Sequence, residues 1–227
     1  MKAFFRAISF IFLLCVALYF LYQANHLVKI ISLRSNNPEY TAMMKFNEKD
    51  QLQSIHKKWS NYPNISRQIK KAVLAAEDSK FMSHYGFDFE AIESAAKKNM
   101  RYKRVKSGGS TITQQLAKNI FLTPKRSFYR KIDEAFIALM MEMILSKERI
   151  FELYLNNVEW GKGIYGIEAA SQHYYGVKNS QLDAYQAARL ASMLTNPRRF
   201  QKNIGSNYLD QKTNIIFKRM ESVDYPH

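Results

Sequence analysis

The stretch AISFIFLLCVALYFLYQA, residues 7 to 24, is almost uninterrupted in its apolar side chains and follows Lys2 and Arg6. A helix rises about 1.5 Å per residue, so about 20 such residues cross the hydrocarbon core of a bilayer. The run is long for the core of a cleaved signal peptide, and no convincing small-x-small cleavage site follows it. An uncleaved anchor, one membrane-spanning helix, is the expectation. Its orientation is weakly written, because Lys29 and Arg34 beyond the run nearly balance Lys2 and Arg6 and leave only a slight vote for a cytoplasmic N-terminus. Tyr19 and Tyr22 suit an interfacial girdle at the exit end, and His26 to Leu33 stay largely apolar, as in a helix leaving along the membrane surface.

Beyond this segment, taken as an anchor and juxtamembrane piece over 1–35, residues 36–227 read as one main domain. In the whole chain of 227 residues, 47% hydrophobic, there is enough apolar material for one substantial core. Lys and Arg number 34 against 19 Asp and Glu, a net +15 that calls for an anionic partner: nucleic acid, membrane headgroups or a phosphorylated substrate. Charge does not choose among them; the basic run KKNMRYKRVK (97–106) suits nucleic acid or a solvated loop equally. The single cysteine, Cys15, lies in the apolar run, which excludes an intramolecular disulfide and a cysteine-based zinc cluster. There is no HExxH, and His56, His84 and His173 lie far apart without ligand spacing. A GxSxG elbow and a P-loop are also missing.

Helical signals dominate. SRQIKKAVLAAEDSKF (66–81) places Ile69, Val73 and Ala76 on one stripe with Ser66 as N-cap. Ser180 followed by Asp183 predicts a capped start for QLDAYQAARLASML, stopped by Asn196 and Pro197. Nothing alternates in the manner of a convincing sheet, so the fold is expected to be mainly α. In LTPKRSFYRKIDEAFIALMMEMIL, Thr123 is the predicted N-cap and Pro124 the first helical residue. Ile132, Phe136, Leu139, Met140 and Met143 share an apolar face, while Arg126, Arg130 and Glu134 form a stripe opposite, flanked by Lys131. Ile137, Met141 and Ile144 continue that charged stripe as apolar residues, so FIALMMEMIL is apolar nearly all round and is expected to be buried. The stripe is then either a solvated face or, as we favour, the place where a central helix emerges into a cleft.

Two stretches carry chemistry. In AAEDSKFMSHYGFD (75–88) the adjacent carboxylates Glu77 and Asp78 point about 100° apart on a helix, so one can face a cleft while the other bonds to structure. A carboxylate against apolar surface has a raised pKa and accepts protons near neutral pH. The competing reading is two ordinary polar residues at a helix end, with His84 a structural histidine. In GGSTITQQLAKN (108–119), Gly108 and Gly109 permit positive φ or close backbone approach, and the hydroxyls of Ser110, Thr111 and Thr113 suit phosphate or sugar oxygens. A helix starting near Ser110 puts Thr111, Gln114, Gln115 and Lys118 on one polar side, with Ile112 and Leu116 packed. A turn followed by a capped amphipathic helix explains the same letters.

EDSKFMSHYGFD (77–88), GGSTITQQLAKN (108–119), RKIDEAF (130–136) and ELYLNNVEWGKGIYGIEAASQHYYG (152–176), in this order, resemble the peptidoglycan glycosyltransferases of the monofunctional biosynthetic type. The resemblance spans roughly residues 60 to 200. It implies a mainly α, lysozyme-like domain with a small membrane-proximal jaw, acting on lipid II at the cytoplasmic membrane, with the catalytic domain on the extracytoplasmic side. It implies Glu77 as general base and Glu134 as a second catalytic glutamate that assists at the pyrophosphate, through a Mg²⁺ or Mn²⁺ carried with the substrate. Ser110, Thr111, Gln114, Gln115, Lys118, Asn119, Arg126, Arg130 and Lys131 match the substrate-binding cleft. Asp78 is grouped with them and, together with Phe81, His84, Gly108 and Gly109, is read mainly as support for the site. No organic cofactor and no nucleic acid are implied; the partners are lipid II, the growing glycan chain, membrane lipids and other cell-wall synthesis proteins. Against this glycan polymerase stand a lysozyme-like hydrolase or lytic enzyme, which needs no pyrophosphate clamp, and a non-enzymatic tethered binding protein.

Overall fold

The computed structural model describes residues 1–51, 54–102, 108–125 and 127–227. The apolar run becomes α1 (Lys2–Ser32), whose stretch from Phe4 to Ser32 is long enough to cross a membrane and contains an 18-residue window of mean hydropathy 2.3. Its second half docks on the rest of the molecule. Tyr19 and Gln23 donate to Oδ1 of Asp133 at 3.2 and 3.1 Å, and Ile30 and Leu33 enter the main core. Arg149 Nε closes the junction by donating to the Leu33 carbonyl at 2.8 Å. Tyr19 thus does more than sit at an interface, because its ring also meets Phe136 edge-on.

The chain continues through α2 (Ala42–Gln51), β1 (His56–Lys57), α3 (Arg67–Glu77), α4 (Phe89–Tyr102), α5 (Ile112–Phe121), α6 (Phe128–Ile144) and α7 (Lys147–Asn157). A hairpin of β2 (Glu159–Gly161) and β3 (Ile164–Tyr165) leads to α8 (Ile167–Tyr175), α9 (Ala184–Met193), α10 (Pro197–Lys202) and α11 (Asn207–Arg219). The fold is mainly α, as the periodicity predicts. α3 packs on α9 and α11, and α5 packs on α6 and α7, around Ile69, Val73, Ile112, Leu116, Phe151 and Leu190.

The sheet that the pattern does not announce has the order β1-β3-β2, with β1 parallel and β2 antiparallel to β3. Its strands are two or three residues long, too short to alternate, and tertiary bonds hold them: Asn47 donates to Tyr165 Oη at 2.6 Å, and Lys57 Nζ to Asn157 Oδ1 at 2.8 Å. Gly166, at φ +82°, starts α8 where a Cβ would stand 2.9 Å from the Asn156 carbonyl, so this turn requires glycine.

Several boundaries move. The predicted 66–81 helix keeps its Ser66 cap but ends at Glu77, because Asp78 leaves helical geometry at φ −161° and Phe81 falls in a separate 3₁₀ turn. Asp183, and not Ser180, caps α9 in a capping box with Gln186; Asn196 and Pro197 do not merely stop that helix but begin α10 as its N-cap and first residue. Thr123 and Pro124 lie in the connection after α5, and Ser127 caps α6 by accepting from the Arg130 N–H at 3.1 Å. FIALMMEMIL is not enclosed: Ile137, Ala138 and Met141 are fully buried, whereas Phe136, Leu139 and Met143 are exposed on the other side. The charged stripe of α6 is therefore the inward face, and the outer apolar face lies beside α1, whose Tyr19 packs on Phe136.

Candidate active site

α3 delivers Glu77 as its last residue, and the next residue turns away to do structural work. Asp78 is buried; its Oδ2 accepts the Ile112 N–H at 2.9 Å and its Oδ1 meets His84 Nε2 at 2.9 Å. Both oxygens are engaged by the protein, which makes Asp78 a strut between α3 and the N-terminus of α5. Phe81, fully buried, supports the His84 ring edge-on. The two adjacent carboxylates border one cavity but differ in use: Asp78 ties elements together through both oxygens, and Glu77 keeps one oxygen without a protein partner.

Glu77 lines that cavity, about 200 Å³, with Asp88, Gly108, Gly109, Ser110, Thr111 and Arg219. Gln115 Nε2 donates to its Oε2 at 3.0 Å, while Oε1 is closed off from solvent and has no protein partner. Burial is the main influence on the carboxyl and raises its pKa; the Gln115 bond and the cations Lys212 and Lys118 pull the other way. The amide of Gln115 is oriented in turn by Tyr154, whose hydroxyl donates to Oε1 at 3.1 Å. The carboxylate is therefore held by one oxygen, with the other free to take a proton.

α5 begins at Ile112, two residues after the predicted Ser110. Thr111 is its N-cap in a reciprocal capping box with Gln114, and Thr111 Oγ1 also donates to the Gly86 carbonyl at 2.7 Å. Thr111 and Gln114 consequently use their polar atoms to build the helix start, and Thr113 donates to Glu142 at 2.6 Å. Gly109 is required by packing: a Cβ there would lie 2.8 Å from Ile92 Cα on α4, whereas nothing crowds Gly108. Neither glycine is among those with positive φ.

On α6, Glu134, 3% exposed, meets two cations. Arg130 donates to Oε2 at 2.7 Å and Lys131 to Oε1, while Lys131 also reaches Ser110 Oγ at 3.1 Å. The Nε of Arg130 is buried without a partner. Lys118 feels both carboxylates through space; burial lowers its pKa against their pull, and its ammonium has no ion pair among the described residues. Asn119 follows it, buried on α5. Arg126 lies outside the described residues. A protein-held divalent ion does not fit here, since both Glu134 oxygens are taken by cations and no group of three metal-ligating side chains converges among the described residues.

Residues 43–221 match the family model described as transglycosylase. The chain belongs to the transglycosylase family. The transglycosylase fold is lysozyme-like, in agreement with the mainly α architecture. Among similar proteins, one from Herminiimonas arsenicoxydans is 44% identical with all of both chains aligned, and one from Dechloromonas aromatica is 51% identical over 76% of this chain and 74% of its own length. A third, from Nitrosospira multiformis, is 44% identical over 95% and 96% of the two chains. All three are named biosynthetic peptidoglycan transglycosylase.

Tyr154 and Lys212 bear on this candidate site, and the motif reading does not single them out. Tyr154 sits within the fourth motif, but its bond to Gln115 spans 39 residues. Lys212 on α11 donates to the Ser192 carbonyl at 3.1 Å and acts on Glu77 through space. No local pattern marks it.

Proposed function

We propose that this protein polymerises lipid II into linear glycan strands in bacterial cell-wall synthesis, releasing undecaprenyl pyrophosphate. The observation that carries the reading is the Glu77 carboxylate, pinned by one oxygen and without a protein partner at the other. In this reading Glu77 Oε1 removes the proton from the 4-hydroxyl of the acceptor's N-acetylglucosamine. That oxygen bonds to C1 of the donor's muramoyl unit as the C1–O bond to pyrophosphate breaks, and α becomes β. Charge grows on the leaving pyrophosphate, where Lys118, Arg130 and Lys131 are already placed to receive it. Glu134 holds Arg130 and Lys131 in position between turnovers, and Ser110 fixes the other side of Lys131. No step is routed through a metal ion. Thr111, Gln114 and Asp78 shape the cleft from behind; Gln115 orients the base.

Residues 1–35 serve as a single-pass anchor in the cytoplasmic membrane, with 36–227 as the catalytic domain on its outer side. α1 and the exposed apolar face of α6 together bring the cleft to the level of a lipid-linked substrate. The polymer leaves for crosslinking by another cell-wall synthesis protein. The test is purified full-length protein with labelled lipid II. Long polymer and released undecaprenyl pyrophosphate support the reading, whereas cleavage of finished glycan would restore the hydrolase alternative.

A further inference from the structure

Where α1 leaves its apolar run, its last two turns, the 36–42 segment, the start of α2 and the end of α5 enclose a cavity of about 550 Å³. Val28, Leu33, Ile120 and Phe121 give it an apolar wall, and Lys29 and Lys45 stand at its polar side; among the described residues no Asp or Glu lines it. Both lysines are exposed, and neither ammonium has an ion pair or hydrogen bond among the described residues. The second observation is His26. It lines the same cavity, is 5% exposed, and neither ring nitrogen has a partner. Its ring is fixed edge-on between Tyr22 and Phe121, at 4.7 and 5.4 Å between centroids, so it cannot swing out to water without breaking both contacts. A buried imidazole with two unsatisfied nitrogens is costly unless a ligand's polar atom reaches it.

We propose that this cavity binds one anionic phospholipid of the surrounding membrane. Lys29 and Lys45 take the phosphate, His26 donates a ring N–H to a phosphate or ester oxygen, and one acyl chain lies along Val28, Ile120 and Phe121. Three features commit the site to this occupant. A membrane-length helix ends at the cavity, which brings its mouth to headgroup depth; the lining charge is wholly positive; and the apolar wall continues from the helix itself. The lipid ties α1 to α2 and α5 behind the wall that carries Gln115 and Lys118. This goes beyond the polymerase reading and stands or falls without it.

The experiment is native mass spectrometry of the full-length protein in detergent, offered phosphatidylglycerol or phosphatidylethanolamine at equal concentration. Wild type is expected to retain one phosphatidylglycerol at about tenfold lower concentration than phosphatidylethanolamine. K29A/K45A should lose that preference, while K178A/K202A, which removes two exposed lysines elsewhere, should keep it. His26→Leu, close in size and without polar atoms, should weaken retention with the fold intact. Equal retention of the two lipids by wild type, or an undiminished preference in both K29A/K45A and His26→Leu, overturns the proposal. So does a raised KM for lipid II in K29A/K45A measured in phospholipid-free detergent, because the cavity would then belong to the substrate's own polyprenyl phosphate.

Discussion

Glu77 and Glu134 both have carboxylate oxygens withdrawn from water, yet Glu77 is held by a single amide and Glu134 by two cations. The first environment opposes ionisation and leaves Oε1 without a partner; the second occupies both oxygens with charge. A group meant to gain a proton needs the first arrangement, and a group meant to hold cations for an incoming anion needs the second. The same residue type thus acquires two uses from its neighbours alone. The largest expected effect tests this on the base. Glu77→Gln should lower polymerisation of lipid II by about 10²- to 10⁴-fold, the usual share of a general base, with substrate binding retained.

The sharper comparison is stability, where the two Glu→Gln changes should have opposite signs. Burial raises the Glu77 pKa, so the folded state holds its proton more tightly than the unfolded chain, and stability falls as pH rises from the ordinary value of 4.5 through the folded one. At neutral pH the ionised group is a standing cost that Gln removes. Glu77→Gln should therefore melt at a higher temperature than wild type by differential scanning calorimetry. Glu134→Gln instead strands Arg130 and Lys131. A fully buried pair would cost about 3–5 kcal/mol, but Lys131 is half exposed, so about 2 kcal/mol and a fall of about 4–8 °C are expected by differential scanning calorimetry. Two shifts in the same direction would mean that the two carboxylates do not differ as described.

That contrast was only partly legible beforehand. Adjacent Glu77 and Asp78 already imply that one faces a cleft while the other bonds to structure, because helix geometry separates neighbours by about 100°. Which does which depends on Ile112, far along the chain, whose N–H claims Asp78. The α6 stripe was read as inward-facing for a sound reason, the apolar continuation at Ile137 and Met141. The burial expected for its opposite face does not hold, since hydropathy does not distinguish a protein core from a surface laid beside a membrane helix. Thr123 with Pro124 and Ser127 are all acceptable starts locally; the packing of α5 on α6 selects the later one. Lys212 and the hydroxyl of Tyr154 act only through tertiary contact, so no spacing rule could find them.

The pH profile refines the comparison at intermediate cost. The acid limb of kcat/KM should reflect Glu77 and lie above pH 4.5, since a raised pKa keeps the base protonated to higher pH. Gln115→Ala removes the hydrogen bond that opposes that rise, so its limb should move further up. Tyr154→Phe should shift it in the same direction by less, with about a tenfold loss of activity, because the amide survives without its orienting donor. On the alkaline side Lys118, lowered from 10.5 by burial, should lose its charge and its hold on pyrophosphate below that value. Lys118→Arg should extend the limb upward, as a guanidinium does not titrate there.

The smallest effect asks whether the Glu134 clamp depends on where its helix begins. Ser127 accepts the Arg130 N–H, so this cap fixes the backbone of the residue that donates to Glu134 one turn later. Ser127→Ala should cost about 1 kcal/mol, about 2–4 °C in melting temperature. It should also raise KM for lipid II more than it lowers kcat, because Arg130 loses placement while Glu77 and Gln115 on α3 and α5 are untouched. Thr123→Ala, at the start suggested by local sequence, should change neither. Equal losses from the two substitutions would show that Thr123 also caps the helix in solution, and no change in KM from either would show that the clamp is set by the Arg130–Glu134–Lys131 contacts alone and not by the cap.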